Sequence, residues 1–412
     1  MTNTYVSQFG MANPFMVSAS PATHGMKAAL KTASAKPGAI VMRNYGHMAG
    51  GGSHLSTLGD RMLNGVDCTQ SHAHGHFFPE PYPSFESYVD DVRRTRDILD
   101  PEIKVWASIG HFLDLTGSVA WEEKWVKEAV QYQNAGVDAL ELHFNSPGIL
   151  AIRNRVYDFY QLVYSTVKLI KKHVSVPVMC KLPVEACDTL RAMRSALSAG
   201  ADAVGPTARW KGLDIELDYR QTLPLGGGGY SGSQALPIIC YSVAEARLNG
   251  IEAPIYAGGG VFNAEAAAKL IMCGSDIVQL GSLACCLGPL GIEKVIRRFE
   301  SLIEELGYED VASMKGKAVS LISLPSEVQN ERNRRLAAAY RETQVIREKC
   351  IGCGRCVSSC WYEGIELCPE TNKADKTSSC VGCGYCFSVC PTKALTADAG
   401  KIVGDVMKEC NL

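Results

Sequence analysis

Seventeen cysteines occur in the chain, and nine of them fall between Cys350 and Cys390. Eight of those nine repeat one spacing. The first run is Cys350-x2-Cys353-x2-Cys356-x3-Cys360, and the second is Cys380-x2-Cys383-x2-Cys386-x3-Cys390 followed by Pro391. Three thiolates on a tight x2/x2 loop can grip three irons of one 4Fe–4S cubane. The fourth opens a helix and points at the other cluster, as in two-cluster bacterial ferredoxins. The spacing assigns Cys350, Cys353, Cys356 and Cys390 to one cluster, and Cys380, Cys383, Cys386 and Cys360 to the other. Gly352, Gly354, Gly382 and Gly384 suit a backbone that curls closely around an inorganic core. Two zinc sites built from the same thiols are the competing reading, but a duplicated x2-x2-x3 run is unusual for zinc. Cys368, which precedes Pro369 in the insert between the runs, is expected not to be a ligand.

The residues that must position a partner for such clusters lie upstream. Apolar runs predict strands at Pro14–Ala19, Gly38–Arg43, Lys104–Ile109, Asp138–His143, Val176–Leu182, Ala201–Thr207, Ala253–Gly258 and Asp276–Gly281. Amphipathic helices fall between several of them, for example Trp121–Ala135 and Ala264–Met272, and a further helix is expected over Pro289–Tyr308. Eight strands alternating with helices predict an α/β fold, a (β/α)8 TIM barrel, carrying a C-terminal two-cluster bacterial ferredoxin-like domain. The expected boundaries are 1–320 for the barrel, 321–347 for a helical connector and 348–412 for the cluster domain.

A doubly wound sheet is the alternative, but no dinucleotide fingerprint follows a strand, so electrons must enter through the clusters or a partner protein. The seventh and eighth strands end in Ala257-Gly258-Gly259-Gly260 and Gln279-Leu280-Gly281-Ser282. Barrel loops at these two places commonly cradle a phosphate with backbone N–H groups, which only small residues allow to approach.

Bulk properties narrow the function classes. A formal charge of −2, 46% hydrophobic and 20% charged residues describe an ordinary globular enzyme and give no basic surface for nucleic acid or an acidic membrane. The first fifteen residues lack the basic start and apolar run of a secretory signal, and no apolar stretch is long enough to span a bilayer. A cytoplasmic location is expected, and there the cysteine count fits metal better than disulfides.

Specific segments carry a family resemblance. Asn13-Pro14-Phe15-Met16-Val17-Ser18-Ala19-Ser20, Glu141-Leu142-His143-Phe144-Asn145-Ser146-Pro147, Lys181, Gly229-Tyr230-Ser231-Gly232 and the late glycine runs resemble, in order, the dihydroorotate dehydrogenase-like FMN barrel family. A barrel followed by a two-cluster tail is similar to the FMN and iron–sulfur subunits of bacterial NAD-dependent dihydropyrimidine dehydrogenases. The resemblance implies FMN, lined by Ala19 and Ser20, with its phosphate at Ser231, Gly232, Gly258, Gly259, Gly260, Gly281 and Ser282. It implies that Lys181 faces the isoalloxazine N1/O2 edge, where a fixed cation stabilises the anionic reduced flavin. Arg43 stands where the family usually has lysine. Ser146, before Pro147, takes the place of the family's proton donor, with His143 three residues earlier as helper.

The reaction so implied is reduction of an activated C=C bond in a small, polar, cyclic substrate. Its electrons come from an NAD(P)H-oxidising FAD and iron–sulfur partner subunit, in a homodimer or heterotetramer. The opposite direction and a non-catalytic electron-transfer subunit are the alternatives. Pyrimidine-binding members hold the ring with asparagines, and here His143, Gly148 and Ala208 replace three of them, so the resemblance carries the reaction type further than the substrate. Between the second and third strands, His72, His74 and His76, with Cys68 nearby, could bind a metal or an anion, or form a solvated loop. Arg153, Arg155 and Arg209 near the predicted mouth suit a carboxylate on the substrate.

Overall fold

A computed structural model describes residues 9–45, 52–57, 73–78, 82–110, 121–144, 158–185, 187–207, 210–212, 228–321 and 343–397. Its backbone divides into two compact units, Met1–Val319 and Ser320–Leu412.

The first unit is a closed barrel of eight parallel strands. They are β1 (Phe15–Val17), β2 (Ala39–Met42), β3 (Lys104–Ile109), β4 (Ala139–His143), β5 (Val178–Pro183), β6 (Ala203–Thr207), β7 (Tyr256–Gly258) and β8 (Ile277–Leu280). Each is followed by a helix: α1 (Met26–Ala33), α2 (Phe85–Ile98), α3 (Trp121–Asn134), α4 (Phe159–Lys171), α5 (Thr189–Ser198), α6 (Leu236–Leu248), α7 (Ala264–Met272) and α8 (Ser282–Glu305). Closure comes from β1, whose Phe15 and Val17 register with Val278 and Leu280 of β8 while Met16 registers with Ala39 of β2.

Strand alternation sorts the side chains into two cores. Met16, Ala39, Val41, Trp106, Ala139, Met179, Ala203, Tyr256 and Ile277 belong to a small cluster inside the barrel. The intervening residues, such as Ile40, Met42, Leu140 and Val278, pack outward with the helices in a much larger one. Following the same parity up each strand puts Ser18, Arg43, Ser108, Glu141, His143, Lys181 and Gln279 on the inner face. A polar layer thus sits above an apolar plug.

One device recurs at the opposite end. Asp138, Asp202 and Asp276 each precede a strand, and each carboxylate accepts the N–H of the preceding strand: Val105 (2.8 Å), Val178 (2.7 Å) and Ile255 (2.8 Å). The same carboxylates pair with a base on a barrel helix: Arg96 of α2 at 3.3 Å, Lys171 of α4 at 2.8 Å and Arg247 of α6 at 2.6 Å. A hydrogen bond to a charged group contributes about 1.5–3 kcal/mol, so these aspartates pin register at the stability end of the barrel. Ordinary side-chain caps start α2 (Ser84), α4 (Asp158), α5 (Asp188) and α7 (Asn263).

Several expectations are corrected. Most strands are shorter than their apolar runs. The helix expected from Pro289 ends at Glu305 rather than Tyr308, and a separate helical segment from Ser282 precedes it, the two being broken at Gly288 (φ 60°, ψ −159°). A second, four-stranded sheet, not anticipated, joins Gly52–Thr57 and Ala73–Phe78 with Trp210–Gly212 and Gly228–Ser231. Both excursions arise between a strand and its following helix, after β2 and β6. The connector is not helical throughout: Thr343–Val345 is a strand, antiparallel to Leu395–Ala397. Its residues 322–342 lie outside the described ones.

The second unit repeats itself. The short helices Arg355–Ser358 and Tyr385–Val389 follow the two cysteine loops. One hairpin-like pair is Thr343–Val345 with Leu395–Ala397, and the other is Ile365–Leu367 with Ala374–Lys376. Gly352 and Gly382 take φ of 69° and 70°, and Gly354 and Gly384 take 71° and 78°. These left-handed values, which side-chain-bearing residues adopt only at a cost, turn each loop back on itself in the same way.

Candidate flavin and iron–sulfur sites

The eight repeated cysteines line two pockets in crossed sets. One is lined by Cys350, Cys353, Cys356 and Cys390, the other by Cys360, Cys380, Cys383 and Cys386. The two are alike in size and in their four-thiol lining, so they suit the same kind of occupant. Among the described residues, no three His, Cys, Asp or Glu side chains converge on a point fit for a single ion. The sulfurs surround a volume instead, and a four-thiolate donor set around a volume is the chemistry of a cubane.

Backbone donors also reach the thiols: Gly364 N–H to Cys360 Sγ at 3.1 Å, Ala394 N–H to Cys390 Sγ at 3.2 Å and Ala374 N–H to Cys350 Sγ at 3.4 Å. Such bonds favour the reduced, more negative cluster. Burial, then the charges of Cys380 and Cys383, push the Cys386 thiol up to about 11. At neutral pH that sulfur therefore becomes a thiolate through metal binding, which releases its proton.

Cys368 lines neither pocket. Its thiol is pulled down by a hydrogen bond with the Thr371 side chain and by the backbone of Thr371 and Glu370. Serine at this position is expected to leave iron content unchanged and to remove the thiol that iodoacetamide alkylates fastest in the loaded protein. Mass mapping of the labelled peptides, with an iron assay, checks both. A drop in iron would make Cys368 a ligand.

At the barrel's upper end, the structure gathers most of the residues singled out from sequence. Ser231 Oγ lies 3.1 Å from Ser282 Oγ, which ties the segment before α6 to the start of α8. Gly281, before α8, and Ala235, before α6, provide no side-chain cap, in contrast to the four capped helices. Gly258, Gly259 and Gly260 follow β7, and Gly232 takes φ 149°. Backbone N–H groups without side-chain acceptors, flanked by small residues, fit an anionic phosphate.

Gly260 is the most constrained, with φ +80° and any Cβ placed 2.5 Å from Leu236 N and 2.8 Å from Ser233 O. Gly260→Ala is expected to destabilise the barrel by roughly 2 kcal/mol or more and to lower flavin retention on gel filtration. A fully stable variant with undiminished flavin would refute the cradle.

Ser20 is buried, caps the turn Pro21–Thr23 and accepts the Ala22 N–H at 3.2 Å. Ala19 packs against the inner core. Arg43 is buried too, and its carbonyl accepts the Tyr88 hydroxyl. His143 and Lys181 are buried neighbours in register on β4 and β5. Gly110 makes room for the imidazole, since a Cβ there would lie 3.1 Å from His143 Cβ.

Four buried residues form a set that is not legible in the sequence. Lys181 Nζ lies 3.6 Å from Glu141 Oε2, which accepts Gln279 Nε2 at 3.1 Å. Gln279 Oε1 accepts the Ser18 hydroxyl at 3.2 Å. Glu141 is readable as a charged residue in the strand Ala139–His143, but its partners come from β5 and β8.

Ser146, Cys68, His72, Arg153, Arg155 and Arg209 lie outside the described residues. His74 and His76 occupy alternate positions of the strand Ala73–Phe78. Among the described residues, no helix is long and apolar enough to cross a membrane.

The class follows from what the two units can each hold. A parallel barrel whose last strands open into an anion cradle, above a buried cation, suits a flavin mononucleotide; thiols arranged around two volumes suit iron–sulfur clusters. A chain that combines them has the makeup of an iron–sulfur flavoprotein. Residues 79–303, more than half of the chain, match dihydroorotate dehydrogenase, and residues 343–397 match the 4Fe-4S dicluster domain. The chain belongs to the dihydroorotate dehydrogenase family.

Among curated proteins, it is 25% identical to the NAD-dependent dihydropyrimidine dehydrogenase subunit PreA of Escherichia coli K12 over 266 residues. That match covers 62% of this chain and 63% of PreA, so less than two thirds of PreA is spanned. It is 23% identical to the dihydroorotate dehydrogenase B (NAD(+)) catalytic subunit of Methanocaldococcus jannaschii over 57% of this chain and 74% of that protein. The corresponding subunit of Thermoplasma acidophilum is 22% identical over 77% of this chain and 98% of its own length.

Proposed function

We propose that the protein is an FMN-dependent oxidoreductase acting on a CH–CH bond, reducing an activated C=C bond of a small, polar, cyclic substrate with electrons arriving through two 4Fe–4S clusters. The observation that carries this reading is the pair of crossed four-thiol pockets on the same chain as a family barrel. The chemistry supplied by the bound groups is hydride transfer at carbon for FMN and one-electron carriage for the clusters.

The chain's own residues do the rest. Ser231, Gly232, Gly258, Gly259, Gly260, Gly281 and Ser282 would hold the phosphate, and Ala19 and Ser20 would line the flavin. Lys181 and Arg43 supply fixed positive charge on the barrel's inner face, where water is excluded and a charge acts strongly. Ser146 passes the proton to the substrate carbon, and His143 assists it by holding that proton in turn. Replacement of the family's asparagines by His143, Gly148 and Ala208 favours a substrate other than a pyrimidine, because an unpaired ring amide in a site built on hydrogen bonds is costly. The partner is an NAD(P)H-oxidising flavoprotein, the assembly a homodimer or heterotetramer, and the location the cytoplasm.

The test is anaerobic purification with flavin and iron quantitation, followed by chemical reduction and a screen of unsaturated acids and heterocycles for reoxidation of the flavin. Reoxidation by one class of alkene is expected. Zinc in place of iron, or colourless protein, would end the proposal. Reduction of the oxidised flavin by the saturated partners alone would reverse its direction.

A further inference from the structure

The polar layer inside the barrel contains more than the proposed reaction uses. Glu141 is fully buried on β4. Its Oε2 meets Lys181 Nζ at 3.6 Å and Gln279 Nε2 at 3.1 Å, while its Oε1 makes no hydrogen bond among the described residues. Two more hydroxyls nearby are in the same position. Ser108 adjoins Glu141 in strand register, and its Oγ is buried without a partner among the described residues.

The Tyr256 hydroxyl is likewise buried and unpartnered. Its ring reaches this layer across Gly205, where a Cβ would lie 2.9 Å from Cε1 and 3.0 Å from Cζ. Gly205 is itself the register neighbour of Lys181.

A carboxylate taken out of water without need is several kcal/mol unfavourable, and an apolar residue would continue the plug formed by Ala139 below it. The cation Glu141 meets is the one proposed above to face the flavin. We infer that Glu141 is a positioning residue that holds the Lys181 ammonium in place and offsets part of its charge, thereby setting how strongly the site favours a negatively charged, reduced flavin. Gln279 fixes the carboxylate's orientation, and Ser18 fixes that of Gln279. The inference rests on the FMN reading.

Its logic is electrostatic. An uncompensated ammonium in a site of low effective dielectric would stabilise the reduced flavin strongly and make it a poor reductant of an alkene. A carboxylate behind the ammonium tempers that pull while keeping it in place.

Sulfite provides a readout separate from turnover, because its adduct with oxidised flavin places negative charge on the N1/O2 edge. Glu141→Gln, loaded with FMN, is expected to bind sulfite about tenfold more tightly than the natural protein and to show a flavin midpoint potential shifted in the positive direction. Glu141→Asp, which keeps the charge, is expected to stay within about threefold. Unchanged or weaker sulfite binding by the glutamine variant would overturn the inference with the flavin reading intact. Absence of FMN from the natural protein would instead overturn the reading on which it rests.

Should the glutamine variant fail to fold, Gln279→Met removes a donor to Glu141 and leaves its charge less neutralised. Sulfite binding is then expected to weaken about threefold, and unchanged or tighter binding would overturn the inference.

Discussion

Serine in place of Cys386 is expected to remove one cluster, cutting iron per chain by about half, while flavin content stays constant. Turnover driven by an external electron donor is expected to fall by more than about tenfold, the least that weaker perturbations around a metal produce. Cys386 is buried at the start of the helix Tyr385–Val389, in the pocket shared with Cys360, Cys380 and Cys383. A serine hydroxyl there is harder still to deprotonate than a thiol that burial and its neighbours already push to about 11. Iron analysis and low-temperature EPR of the reduced protein test this directly. A full iron complement with an unaltered spectrum would remove Cys386 from the ligand set.

Ser146→Ala is expected to lower turnover by roughly 10²- to 10⁴-fold, the range for losing a positioned general acid, with FMN still bound. The loss should fall on reoxidation of reduced flavin by substrate and leave reduction by the donor unaffected, a division that stopped-flow absorbance resolves. Ser146 lies outside the described residues, so the expectation rests on its place three residues beyond His143, itself buried at the upper end of β4. Unchanged turnover would favour the rival in which the barrel only passes electrons. Unchanged turnover in both Ser146→Ala and His143→Ala would leave the loop without a chemical role.

The sequence exposed some of this architecture because local signals and tertiary structure coincide there. Lys104–Ile109 is a strand to the residue, since Pro101 and Gly110 bracket a compact apolar run. Elsewhere the apolar run overshoots. Ala201, Asp202, Ala253 and Pro254 look like strand from composition, yet Asp202 caps the neighbouring strand with its side chain and Pro254 has no N–H to give a ladder. The crossed cysteine pockets follow the spacing because four ligands of a cubane leave little geometric freedom.

What stayed hidden depends on distant pairing. The Ser18–Gln279 and Gln279–Glu141 bonds join residues 261 and 138 positions apart, and no periodicity reports them. Thr343–Val345 sits at the end of a charged, alanine-bearing stretch that reads as helix, but pairing with Leu395–Ala397 overrides that preference. The glycine-bearing strands Gly52–Thr57 and Gly228–Ser231 have weak intrinsic tendency to extend, and pairing with each other and with Ala73–Phe78 and Trp210–Gly212 makes them a sheet.

The crossing of the cysteine sets also constrains biosynthesis. Cys350, Cys353 and Cys356 leave the ribosome long before Cys390, the fourth thiol of their pocket. At 5 to 20 residues per second, the interval from Cys356 to Cys390 is about 2 to 7 s. During it, three thiols stand together without the fourth. Iron delivered to the nascent chain would meet an incomplete coordination shell, whereas Cys360, emitted early, waits in turn for the second triad. The second set closes only at Cys386 and the first only at Cys390, so neither metal centre can be finished until nearly the whole module has been translated.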